Sequence, residues 1–145
     1  MSGNFTNFLR DELLDEVFGG QAYTPPTSLY IALSTDAPTD DDGTNFTGGE
    51  PVGNNYERVV VTNDLTSWEA SVDGFKQNAI DFEFNEATGT WGTITHFAIF
   101  DGARDTDENM LAFGELTIAK EILEGDTATF NAGDLEITLS GQVNA

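Results

Sequence analysis

The sequence predicts a mainly β chain: an antiparallel β-sandwich of about seven strands, jelly-roll or immunoglobulin-like, with one N-terminal α-helix. Three observations predict it. An opening segment repeats apolar residues every four positions, the chain then changes to a period of two, and Gly, Asn and Asp punctuate the later strands at short intervals.

The helix is expected over residues 4–18. Phe5, Leu9, Leu13 and Val17 recur at four-residue spacing, and Phe8, Leu14 and Phe18 widen the stripe. Asn4 or Thr6 can cap its start, and Gly19-Gly20 supplies the left-handed stop. So aromatic a stripe must pack, either on the chain's own core or on a neighbouring subunit. The second reading makes Phe5, Phe8, Leu9 and Leu13 subunit anchors.

After Thr24-Pro25-Pro26, Leu29, Ile31 and Leu33 alternate with Tyr30 and Ala32, so Ser28 to Ser34 reads as a strand. A polar, glycine-rich segment follows over 35–55, carrying Asp36, Asp40, Asp41, Asp42 and Glu50. It has no apolar period, and long loops of this kind are usually functional or disordered. It is expected to be exposed at one end of the fold, facing solvent or a partner. Further strands are expected over Glu57 to Asn63, Asn78 to Phe84, Thr93 to Phe100, Met110 to Ile118, Ala128 to Phe130 and Leu135 to Leu139. The turns fall at Asn85 to Gly92, Asp101-Gly102, Glu124-Gly125-Asp126 and Ala132-Gly133-Asp134.

The chain has 145 residues, which suits one domain over 1–145, large enough to bury a core without staples. No apolar run approaches the length of a membrane span, and no secretory h-region follows Met1. There are 26 acidic and 5 basic residues, a net charge of −21. Over the expected surface, that is one uncompensated negative charge per roughly 350 Å². Nucleic-acid partners are disfavoured because they need clustered Lys and Arg, and anionic membranes for the same reason. Self-repulsion opposes the compact state at low salt, and at molar salt the Debye length falls to about 3 Å. The charge reads as adaptation to hypersaline water.

Catalytic machinery is not legible. His96 is the single histidine, within the apolar run Ile94 to Phe100, and the chain has no cysteine, so a zinc site lacks ligands. No nucleophile elbow, phosphate loop or dinucleotide fingerprint occurs. Asp105 to Asn109 alternates oxygens like a calcium loop but has Met110 where the sixth-position glycine belongs and Leu116 where the glutamate belongs. Asp40-Asp41-Asp42-Gly43 is similarly acidic and unspecific. The reading is therefore not an enzyme, with no metal and no cofactor. Of the tryptophans, Trp91 reads as packing before a strong strand; Trp68, with Tyr56, is a candidate glycan or partner contact.

Several stretches together carry a resemblance. They are Leu29 to Pro38, Tyr56-Glu57-Arg58-Val59, Trp91 to Asp101 and Glu124-Gly125-Asp126-Thr127, with the opening helix. The chain resembles a family of small structural proteins of tailed phages, commonly labelled tail fibre or virion structural proteins. The resemblance implies a virion component with other virion proteins as partners, the major capsid protein or tail proteins. A compact sandwich with one docking helix suits a capsid-surface decoration or vertex turret protein, and such proteins are mostly symmetric homo-oligomers; the charge suggests a halophilic archaeal virus. A tail-fibre or baseplate protein and a host-glycan-binding module are the alternatives.

Overall fold

The computed structural model describes residues 3–38, 46 and 48–145. It is mainly β. In chain order the elements are β1 (Gly3–Phe5), α1 (Asn7–Gly19), β2 (Ser28–Ser34), β3 (Val59–Thr62), β4 (Phe75–Gln77), β5 (Phe82–Glu83), β6 (Gly92–Phe100), β7 (Met110–Ile122), β8 (Thr129–Phe130) and β9 (Glu136–Thr138). Five strands form one antiparallel sheet in the order β1-β7-β6-β2-β3. The other four make two ribbons, β4-β9 and β5-β8.

The alternation in β2 places side chains on two faces, as the pleat requires. Leu29, Ile31 and Leu33 face one core together with Val61, Ile94, Ile99, Leu111 and Ile122. From the ribbon side that core receives Trp68, Phe82, Phe84 and Leu135, with Trp91 entering from the start of β6, so sheet and ribbons form a sandwich. Ala32 faces the other way and joins Ala98, Phe100 and Met110 in a second cluster. Phe46 closes that cluster: it is fully buried, with its ring 5.4 Å from Phe100.

Three expectations need correction. The helix does not begin at residue 4; Gly3–Phe5 pairs with Gly114, Phe113 and Ala112 of β7 as an edge strand. Thr6 ends that strand and caps α1, its hydroxyl oxygen accepting from Leu9 N at 3.4 Å. The same hydroxyl donates to Met110 O at 2.6 Å, fixing the cap to the sheet. Second, the segment over 35–55 is not simply an exposed loop. Within its described part, Pro38, Phe46, Gly49, Glu50 and Pro51 are buried, and Gly49 lies where a Cβ would meet Asp36 N at 2.9 Å. Third, the strand expected over Asn78 to Phe84 is reduced to β5. Asn78 turns a fully buried side chain inward, and Ile80 is exposed.

Candidate interaction surface

The sequence leads one to expect a single apolar stripe on the helix. The helix has two apolar faces with different fates. Phe8 and Leu9 are half-buried and pack against the main core, with the Phe8 ring 6.5 Å from Tyr23. Leu13 is half-buried behind them, and Phe5, on β1, is half-buried opposite Ala112. The proposed anchors therefore face the chain's own sheet in part, and Phe8 and Leu9 serve as its internal attachment. Leu14, Val17 and Phe18 remain 57%, 68% and 83% exposed. Spaced i, i+3 and i+4, they share one face. Covering three such side chains is worth on the order of 5 kcal/mol in gross terms. The letters do hold a signal for this face. The six apolar side chains Phe8, Leu9, Leu13, Leu14, Val17 and Phe18 on one helix form a stripe wider than a single packed face, which points to a second neighbour.

The glycan candidates occupy other environments. Trp68 is 2% exposed, its ring 5.2 Å from Phe82, so it presents no face on which a sugar could stack. Tyr56 is half-buried, edge-on to Trp91 at 5.2 Å and stacked with Phe84 at 6.2 Å. Its hydroxyl accepts from Leu33 N at 3.0 Å and donates to Glu50 Oε2 at 2.8 Å. Trp91 is buried, as its sequence position suggested, and its indole N–H donates to Asn54 O at 2.9 Å.

Glu50 centres a network that sequence reading missed. Its side chain is 0% exposed. Arg58 donates to both carboxylate oxygens, Nε at 2.8 Å and Nη2 at 2.9 Å. The Arg58 guanidinium also lies 3.8 Å from the centre of the Phe100 ring and 3.2 Å from Glu108 Oε1. Arg104 approaches Glu50 Oε1 at 3.5 Å and donates to Pro51 O at 2.7 Å. Burial, then the Glu50 charge, push the Tyr56 hydroxyl well above its ordinary pKa, so it stays a donor. Burial works against the Arg58 charge, but the hydrogen bonds and charges of Glu50 and Glu108 outweigh it and raise its pKa. These groups sew the 46–58 segment and the 101–109 turn onto the second face of the sheet. They are mutually satisfied and leave no reactive group aimed at a substrate.

The acidic 105–109 turn uses its oxygens internally. Glu108 accepts from Asp105 N at 3.2 Å and Thr106 N at 2.9 Å. Among the described residues, no group of three or more His, Cys, Asp or Glu is placed to hold a metal; Asp40 to Gly43 lie outside those residues. Burial alone would raise the Glu108 carboxyl, but backbone N–H groups and Arg58 outweigh it and hold it below its ordinary value. A depressed carboxyl contributes stability present above its unfolded pKa and lost as pH falls through the folded one. Thermal melts should therefore fall more steeply for the wild type than for Glu108→Gln between about pH 5 and about pH 3. Parallel curves would remove Glu108 from the acid response.

The sequence profile of the family described as Podophage GP4 fiber I protein gp80 matches residues 4–138. The chain belongs to this family of phage fibre proteins. No curated protein matches it. A fibre-family protein is a structural component of the virus particle, and it associates with other virion proteins. The match spans the helix, the five-stranded sheet and both ribbons of this chain.

Proposed function

We propose that this fibre-family chain is a non-catalytic subunit at the tail of its virus, held to the particle through the exposed face of α1. The family match supports the tail fibre over the capsid-surface or turret position that the sequence favoured first. The observation that carries the attachment is the Leu14, Val17 and Phe18 face. Isolated exposed apolar residues are ordinary, but three on one helical face are the kind of patch that marks an interaction site. Imaging purified particles labelled with an antibody to the chain tests the position. Label at the tail with few copies supports it; label spread over the capsid in hundreds of copies restores the decoration reading. A host-glycan role has less support, because Trp68 is buried.

The charge supports a hypersaline setting, and a halophilic virus as its source. With 5 basic residues against 26 acidic ones, most of the carboxylates have no basic partner within the chain, which leaves the net charge at −21. Raising sodium chloride from about 0.05 M to about 2 M should raise the melting temperature by on the order of 10 °C, through screening of self-repulsion. A salt-independent melting temperature would end the hypersaline reading without touching the fibre assignment. A homo-oligomer remains part of the proposal, formed through a face other than α1.

A further inference from the structure

Resting on the attachment role of α1, we infer that its occupant is a different virion protein, presenting an apolar contact rimmed by lysine and arginine.

The helix itself states what it can accept. Leu14 and Phe18 lie in one row with Asp11 and Asp15, which are exposed and one turn apart. Glu16 is exposed on the same element, and no basic residue occupies the last turn. Asp11 and Asp15 therefore border the exposed apolar face on one side, while Arg10, one turn before Leu14, donates to Asn7 Oδ1. The C-terminal end of the helix adds partial negative charge from unpaired carbonyls. A partner that covers Leu14 and Phe18 must sit beside Asp11 and Asp15, and only cationic side chains turn that proximity into attraction.

A second copy of this chain does not fit. Pairing α1 with its own copy sets Asp11 and Asp15 against identical rows. Nor does another face of the chain supply a cationic rim. Arg58 and Arg104 are engaged with Glu50, Lys76 donates to Glu69 O, Arg10 on α1 itself donates to Asn7 Oδ1, and Lys120 is a single exposed lysine with the exposed Glu121 beside it. The other exposed apolar patch with arginines beside it lies around Val52 and Val60, where a shallow groove also carries Glu57 and Asp105. Molar salt weakens the preference less once the partner covers the face, because partly buried ion pairs are screened much less than exposed ones.

The test counts copies of the chain per purified particle, with variants supplied in place of the wild type. Leu14→Ser/Val17→Ser/Phe18→Ser should reduce incorporation at least tenfold, since about 1.4 kcal/mol is a tenfold change and three apolar contacts are lost. Asp11→Lys/Asp15→Lys should reduce it comparably, with the apolar face intact. All five positions are at the surface, so each variant should melt near the wild-type temperature. Normal incorporation of the apolar variant overturns the attachment role itself. Loss with the apolar variant but normal incorporation of the charge-reversed one leaves attachment standing and overturns the basic partner. A photo-crosslinking phenylalanine analogue at position 18 supplies the second measurement. Capture of a segment from another protein with Lys or Arg near the linked site supports the inference. Capture of this same chain, or of a segment without basic residues, overturns it.

Discussion

Asn78→Leu is expected to lower stability by about 4 kcal/mol or more, as several buried polar groups lose a partner at once. Leucine has nearly the right volume, so the loss is chemical and not a cavity. The Asn78 side chain is 0% exposed and serves five backbone groups. Its Nδ2 donates to Ile80 O at 2.8 Å, Asn131 O at 3.0 Å and Phe130 O at 3.3 Å. Its Oδ1 accepts from Leu135 N at 2.9 Å and Gly133 N at 3.1 Å. Gly133 N has a second acceptor in Asn78 O at 2.9 Å. The Leu135 N–H and the three carbonyls would then lose this partner inside the ribbon layer. At about 3 °C per kcal/mol for a chain of this length, the melting temperature should fall by more than about 10 °C. Asn78→Asp separates the two halves of the amide. It keeps the acceptor for Leu135 and Gly133 but sets a carboxylate against three carbonyls, which raises its folded pKa. That penalty is present above the folded pKa and fades as pH falls through it, so the stability of the Asn78→Asp variant should recover toward acid pH. A melting temperature of Asn78→Leu within about 2 °C of wild type would show that apolar contacts alone hold the ribbons together.

Asn78 also marks where the sequence stops being readable. The strand β2 is legible because its apolar residues alternate, and β6 because a nearly continuous apolar run suits a central strand. Over Asn78 to Phe84 the same alternation of Ile80, Phe82 and Phe84 points to a full strand. Only Phe82 and Phe84 are buried, because the Asn78 amide takes over the backbone bonding that a ladder would otherwise supply. Nothing in the letter N distinguishes a turn asparagine from one that organises two ribbons.

The 35–55 segment is illegible for a related reason. Phe46, in a 3₁₀ turn, and Glu50 are buried outside any strand or α-helix, and such residues produce no period. The helix misleads differently. Its stripe is visible, and so is Thr6 as a cap, but β1 intervenes before it, and the stripe does not say which face the sheet will take. The inner face went to Phe8 and Leu9 because Thr6, fixed to Met110 O, sets how α1 leaves the sheet. The outer face fell by remainder to Leu14, Val17 and Phe18. Belonging to a fibre family is legible, because the resemblance rests on local stretches; the surface proposed for attachment rests on three-dimensional remainder.

Arg58→Met is the companion experiment on the second face of the sheet, with an expected loss of about 3–5 kcal/mol. Methionine fills much of the space over Phe100 but leaves the Glu50 carboxylate with Tyr56 and the more distant Arg104. A buried carboxylate without its bidentate partner is left as an uncompensated buried charge. Melting wild type and variant side by side checks the size of the loss. Arg58→Lys should fall between them, because an ammonium keeps the charge but cannot bridge both oxygens or lie flat on the ring. The decisive comparison is Glu50→Leu/Arg58→Met. Removing both charges also removes the unpaired one, so the double variant should be more stable than Arg58→Met alone, with a coupling of at least about 1 kcal/mol. If the double variant is instead the less stable by the sum of the single losses, the two residues act independently, and the 46–58 segment is held by Phe46 and Tyr56 packing alone.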